Sequence, residues 1–192
     1  MSRCPWTGND SLMISYHDLE WGVPAHDDRL LFEFLVLDGF QAGLSWKSVL
    51  YKRDGLRRAF HGFESELVAR FSEDHLERLL QNPEIIRNRA KVRSAVTNAR
   101  AFLEVREEFG SFDRFIWKLA GAAPRVNRWE SLSQVPARTE ESDRMSRALV
   151  RRGFKFAGSV ICYAFMQAAG MVNDHLVSCP RWAEVQKVPA TP

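Results

Sequence analysis

The chain has 192 residues, 45% of them hydrophobic, and carries a net charge of +3 at pH 7. That is enough apolar chain for a genuine core, which excludes a disordered protein, and no stretch nears the roughly 20 apolar residues of a membrane span. The amino terminus has no apolar signal-peptide core, so the expected location is the cytoplasm, where Cys4, Cys162 and Cys179 are reduced thiols or metal ligands.

The elements predicted in chain order are nearly all helical. Asp27 or Asp28 caps a helix with Leu30, Leu31, Phe34, Leu35 and Leu37 on its apolar side. Residues 87–106 place Val92, Ala95, Val96, Ala99, Phe102 and Leu103 at i, i+3, i+4, i+7 spacing, which predicts a second, longer helix. Its basic residues Arg87, Arg89, Lys91, Arg93 and Arg100 lie off that stripe with no acid among them. Gly121–Thr139 is rich in turn formers and reads as a long connection. Helices over 141–151 and 159–169 follow, with Gly170 as a C-terminal stop. No run of alternating strands and no repeat is visible. Residues 181–192 have no periodicity and are expected to be loosely ordered. The expectation is an all-α protein with one domain over residues 1–180, built of two packed helical subdomains. Nothing points to an oligomer, so a monomer is expected, with no membrane and no obligate protein partner.

A second basic run, Arg144, Arg147, Arg151, Arg152 and Lys155, also lacks acids. Both runs suit either a polyanion or a solvated helix face, and charge alone favours the solvated face. Between the last two helices lies Arg152-Gly153-Phe154-Lys155-Phe156-Ala157-Gly158-Ser159. Its glycines frame a turn that opens into a helix. Free backbone N–H groups and the helix dipole there favour a phosphate, and Lys155 adds charge. A glycine-bounded turn is also common to any αα-hairpin.

His175 and Cys179 are four apart and share a face if they lie on one helical turn. With Cys4 and His17 they make a Cys2His2 set, enough for a closed tetrahedral zinc site, although the spacing matches no short zinc-finger pattern.

The hairpin resembles the helix-hairpin-helix element of base-excision DNA glycosylases. More specifically, Cys4, Tyr16-His17-Asp18, Glu20-Trp21-Gly22-Val23-Pro24, Gln41-Ala42-Gly43-Leu44-Ser45-Trp46, Arg152-Gly153-Phe154-Lys155-Phe156, Ile161-Cys162-Tyr163 and Asn173-Asp174-His175 with Cys179 resemble the bacterial type I family of 3-methyladenine DNA glycosylases. The likeness runs from residue 1 to about residue 180. It implies a glycosylase domain of helix-hairpin-helix fold, with a structural zinc on Cys4, His17, His175 and Cys179 that fastens the chain ends together. Four protein ligands leave no open position, which argues against metal-activated water.

The resemblance also implies a pocket for a purine made cationic by methylation at N3. Electron-rich aromatic faces hold such a ring best. Tyr16 and Trp46 are the implied stacking pair, Trp6 a wall, and Trp21 a further candidate. Where the family has a glutamate that hydrogen-bonds the adenine edge, this chain has Asp38, one methylene shorter. Asp38, Tyr16 and Trp46 are therefore the expected catalytic set. Gln41, Gly43 and Leu44 would fill the gap left by the extruded nucleotide, and Gly153, Lys155 and Gly158 would hold double-stranded DNA.

In many relatives of the wider superfamily a catalytic aspartate lies two residues before a histidine. Aligning that histidine with His175 puts Asn173 in its place, with Asp174 displaced by one. The implied activity is monofunctional hydrolysis of the N-glycosidic bond of 3-methyladenine in alkylated DNA. Lys47 is the one lysine placed to suggest an amine nucleophile instead. The competing expectation, motivated by Asp38 and Asn173, is a protein that binds lesions without cutting. A zinc-stabilised interaction module without nucleic acid is the third.

Overall fold

The computed structural model describes residues 2–188. Its helices are α1 (Ser11–Leu19), α2 (Asp28–Gln41), α3 (Trp46–Leu50), α4 (Arg53–Ala59), α5 (Ser65–Val68), α6 (Glu73–Gln81), α7 (Arg89–Phe109), α8 (Phe112–Ala120), α9 (Glu140–Arg151), α10 (Ser159–Ala168) and α11 (Pro180–Glu184). Most starts are written locally. Asp10, Asp27, Ser45, Ser72, Asn88, Ser111 and Thr139 each turn a side-chain oxygen onto a first-turn backbone N–H. Each such cap contributes about 1 kcal/mol.

Helix α2 is the axis of the fold. Every residue from Leu31 to Phe40 is buried, which is why its sequence lacks a clean polar face. Helices α3, α7, α8 and α10 pack around it. Phe32 meets Phe102 of α7 at 5.0 Å between ring centroids, and Phe102 stacks on Phe112 of α8 at 4.4 Å. Two buried carboxylates, Glu33 and Asp38, are carried inside with this helix. Glu33 receives Arg53 Nε at 2.6 Å and Arg57 Nε at 2.8 Å. Buried Arg53 also reaches Glu20 at 2.7 Å. After α10 the chain reverses at Gly170, where φ is +67° and a side chain would collide with the backbone of Val23 and Pro24.

The fold is all-helical as expected, apart from one small parallel pairing, β1 (Arg125–Val126) with β2 (Val172–Asn173). Two residues per strand are too few to leave an alternation in the sequence. The pairing fastens the long 121–139 connection to the segment after α10.

Three expectations need correction. In the first basic run the arginines are exposed, as the favoured solvated face requires, and only Lys91 departs from that reading. Arg89 pairs with Glu77, Arg93 reaches Glu73 at 2.6 Å, and Arg100 Nε donates to the Ala69 carbonyl at 3.0 Å. Lys91 is buried, its Nζ donating to the carbonyls of Phe40 and Ala42 at 2.7 Å each. The segment from Arg181 is ordered through its first residues as α11, because Trp182 is an anchor. Its Nε1 donates to the Asn127 carbonyl at 2.7 Å, and its own carbonyl accepts from Asn173 Nδ2 at 2.9 Å. Val185 is buried behind it, and residues 189–192 of the expected tail lie outside the described residues. Finally, His175 and Cys179 do not share a helical turn. They lie on a loop closed by Cys179 N–H donating to the Leu176 carbonyl at 2.8 Å.

Candidate active site and metal centre

The two ends of the chain meet at a buried cluster of Cys4, His17, His175 and Cys179, whose ligand atoms lie within 4.8 Å of one another. His17 Nε2 and His175 Nδ1 are 3.1 Å apart. Cys4 Sγ lies 3.7 Å from His175 Nδ1, and Cys179 Sγ lies 3.6 Å from His17 Nε2 and 3.9 Å from His175 Nδ1. A tetrahedral ion with bonds of about 2.1 Å to nitrogen and 2.3 Å to sulfur requires edges of about 3.4–3.8 Å. The edges from 3.1 to 3.9 Å come within a few tenths of an ångström of these values, and the widest separation, up to 4.8 Å, closes by a small side-chain shift.

The outer ring nitrogens strengthen the case. His17 Nδ1 is 2.7 Å from Asp18 Oδ1, and His175 Nε2 is 3.0 Å from the Trp21 carbonyl. Each outer nitrogen therefore carries the proton, and the two inner nitrogens present lone pairs to each other. That contact is repulsive unless a cation lies between them. Burial pushes the Cys4 thiol up to about 12 and His175 down to about 4. A cation reverses this field, so metal uptake is coupled to thiol deprotonation. The residues fit a metal ion.

Beside this centre opens a cavity of about 1020 Å³. Trp21 forms the wall between the two. It lines the cavity, and its ring packs edge-on against His175 at 4.7 Å and stacks near His17 at 6.1 Å. Trp6 closes the same corner, 5.0 Å from Trp21. Tyr16 on α1 and Trp46 at the start of α3 face the cavity with ring centroids 5.0 Å apart and a 45° tilt. Asp38 reaches it from α2 and Gln41 from the end of the same helix. The residues expected in the pocket thus converge from four elements.

Three polar atoms of these residues are buried without a partner among the described residues: Asp38 Oδ2, Trp6 Nε1 and Trp46 Nε1. Orphaned polar atoms cost free energy, and three around one cavity mark a place that completes itself with a polar ligand. Burial pushes the Asp38 carboxyl well above its usual range, opposed by the charge of Arg53. Burial also raises the Tyr16 phenol, and the Asp38 charge raises it further. A cation entering the cavity relieves this strain by favouring the ionised carboxylate.

The other acids have different duties. Asp174 also lines the cavity, but its oxygens accept from Asn127 Nδ2, Trp129 Nε1 and Tyr163 Oη at 2.7 Å each and from Gln167 Nε2 at 2.8 Å. It knits the 121–139 connection to α10 and has no lone pair to spare. Asn173 Oδ1 accepts from His175 N–H at 3.2 Å, which supports the metal loop. Lys47 Nζ sits 2.7 Å from Asp10 Oδ2, and that partner raises its pKa. The ion pair favours its ammonium form.

One loop borders the cavity through Gln41 and Ser45, and a second leads into α10, which lines it through Val160, Tyr163 and Ala164. After Gln41 the chain turns through Gly43 and Leu44, both exposed, with Leu44 N–H donating to the Gln41 carbonyl at 2.7 Å. The hairpin between α9 and α10 turns at Gly153, where φ is +88°, buries Phe154 as a plug and leaves Lys155 exposed. Gly158 precedes α10 without a side-chain cap, so first-turn N–H groups stay available to an acceptor. Arg147, Arg151 and Lys155 are exposed and carry no ion pair among the described residues, unlike the α7 run. Sequence reasoning missed the outer cavity wall, Leu132 and Val135–Ala137, because apolar residues in a turn-rich stretch carry no pattern.

No helix among the described residues is long and apolar enough to cross a membrane. A family model described as methyladenine glycosylase matches residues 6–182. The chain is 48% identical over 179 residues to DNA-3-methyladenine glycosylase 1 of Escherichia coli, covering 93% of this chain and 96% of that protein. It is 46% identical to DNA-3-methyladenine glycosylase of Haemophilus influenzae, covering 93% and 97%. A crystal structure of a 3-methyladenine DNA glycosylase I superposes with a TM-score of 0.91 at 47% identity, over 93% of this chain and 98% of that one. The Staphylococcus aureus enzyme, studied for its recognition of 3-methyladenine, superposes with a TM-score of 0.90 at 34% identity, covering 92% and 94%. With the match spanning both the aromatic cavity and the Cys2His2 cluster, the chain belongs to the methyladenine glycosylase family.

Proposed function

We propose that this protein excises 3-methyladenine from alkylated DNA as a monofunctional glycosylase. The observation that carries the reading is the cavity itself, where a buried carboxylate on Asp38, its Oδ2 without a partner among the described residues, shares the lining with the aromatic rings of Tyr16 and Trp46. A cationic purine satisfies both features at once: its charge ionises Asp38, its edge meets the free oxygen, and its face meets the π-systems.

The chemistry asks little of a general base. The C1′–N9 bond breaks with its electron pair moving into the methylated ring, so a cationic base leaves as a neutral one. Water then adds to the oxocarbenium-like C1′ and loses a proton, giving an abasic site. Asp38 supplies negative charge near the reacting sugar, and Asp174, saturated by four donors, supplies a fixed field without acting as a base. An ammonium on Lys47 gives no imine path.

Leu44 and Gln41 enter the duplex as the nucleotide swings out, a step that costs a few kcal/mol and less at a damaged pair. The segment from α9 to α10 is read as a helix-hairpin-helix element that holds phosphates through Gly153, Lys155 and the N–H groups after Gly158. The metal of the Cys4, His17, His175, Cys179 cluster is read as zinc, with a purely structural role: it joins the chain ends behind Trp21. The reading includes a monomer acting in the cytoplasm, and a single domain over residues 1–180 with two helical subdomains. Incubation with methylated duplex DNA tests the activity. Release of 3-methyladenine supports it, and tight binding to damaged DNA without release would favour a lesion-binding protein.

A further inference from the structure

The first half of α7 holds three buried polar side chains away from the cavity; Ser94 bonds back to its own helix, and Lys91 and Asn98 reach outside it. Lys91 donates to the carbonyls of Phe40 and Ala42, both at 2.7 Å. These are the last carbonyls of α2 and its cap, where a cation also meets the negative end of the helix dipole. Asn98 grips the hairpin backbone at two points. Its Oδ1 accepts from Lys155 N–H at 2.7 Å, and its Nδ2 donates to the Lys155 carbonyl at 3.1 Å. Seven residues separate Lys91 from Asn98, so they lie on one face two turns apart, about 10 Å along the axis. The loops they hold are Gln41–Ser45, which lines the cavity through Gln41 and Ser45, and Arg152–Gly158, which leads into α10, whose Val160, Tyr163 and Ala164 line it.

We propose that Lys91 and Asn98 make α7 a rigid spacer that sets the distance between these two loops, and that both are positioning residues for base excision. The inference rests on the glycosylase reading above. Extrusion needs Leu44 to enter the base stack while Lys155 and the α10 N-terminus hold a phosphate. The two loops must therefore stand in fixed register, and a misplacement of about 1 Å can cost on the order of a hundredfold in rate. A surface loop has few internal means of holding that register. Here the register comes from one helix bonded to the backbone of both. Helix α2 also packs directly on the hairpin, since a Cβ on Gly39 would lie 3.4 Å from Phe156 Cβ. With α2 against the hairpin at that point, release of either grip lets the loops pivot about it.

The test uses Lys91→Met, Asn98→Ala and the double variant of the whole protein. Single-turnover release of 3-methyladenine from duplex DNA is measured beside the affinity for free 3-methyladenine, read by tryptophan fluorescence. Each single variant is expected to slow release by roughly 10- to 100-fold with free-base affinity within about twofold. The double variant should be little slower than the worse single, because register is lost once. Unchanged release in both singles overturns the proposal. So does a free-base affinity that falls in step with release, or a double variant whose loss is the product of the singles. Amide exchange on the wild type needs no variant. The Lys155 N–H should be as protected as the core amides of α7, and exchange at loop rates overturns the clamp. That arm reads independently of activity, so a wild type that releases no base would sink the glycosylase reading and leave the clamp measurable.

Discussion

Replacing Asp38 with asparagine keeps the shape of the side chain and removes its charge. Asp38 is 2% exposed, and Oδ2 has no partner among the described residues. A unit charge about 5 Å from a cationic ring, at an effective dielectric near 20, is worth about 3 kcal/mol. Each 1.36 kcal/mol is a factor of ten, so release of 3-methyladenine should fall on the order of a hundredfold. Affinity for undamaged duplex should stay within about twofold, because those contacts are to phosphate and carry no base charge.

The stability effect of the same change has the opposite sign. Burial raises the Asp38 pKa in the folded state. Its contribution to stability is therefore complete below the unfolded value and is lost as pH rises through the folded one. The asparagine variant escapes that loss, so its melting temperature at neutral pH should equal or exceed that of the wild type. The assays are single-turnover base release and a thermal melt on the same preparation. A variant that melts earlier and releases base at the wild-type rate would refute the reasoning, for it would make Asp38 structural. Asp38→Glu separates two versions of the pocket. Retained or higher activity means that the shorter carboxylate is a weakened form of the family contact. Lower activity means that the cavity is fitted around aspartate.

Elemental analysis should find about one zinc per chain, and His175→Ala should lose it with roughly 3 kcal/mol of stability, or about 6–12 °C in melting temperature. Metal-free protein of unchanged stability would contradict the site. Lys155→Ala should weaken binding to damaged and undamaged duplexes equally and reduce the salt slope by about 1, whereas a loss confined to damaged DNA would place Lys155 in the pocket. Lys47→Ala removes an exposed ion pair worth at most about 1 kcal/mol, so activity should fall less than about fivefold. Borohydride should trap no covalent DNA adduct with the wild type, and a trapped adduct would restore Lys47 as a nucleophile.

What was legible in the sequence follows from how local its cause is. The start of α2 was readable because Asp27 accepts its capping bond from the N–H of a residue three positions on. The extent of α7 was readable from its apolar stripe. The set Cys4, His17, His175 and Cys179 was visible as a Cys2His2 combination, but its spacing matches no short pattern and the resemblance carried most of its weight, since nothing local joins residues from opposite ends of the chain. The loop carrying His175 and Cys179 then proved to be a turn and not a helix. Lys91 was not legible at all. Within its basic run it looks like Arg89 and Arg93, yet those pair on the surface with α6 while Lys91 is buried under α2. The difference is set by which helix packs above each residue. Trp182 was missed for the same reason, because its anchors, Asn127 and Asn173, come from distant segments.

The most direct test is chromatography of the bases released when the purified protein is incubated with methylated duplex DNA. The account predicts free 3-methyladenine in the soluble fraction and an abasic site left in an uncut strand. DNA that is bound but releases no base would contradict it, as would a released base that carries no positive charge while attached to its sugar.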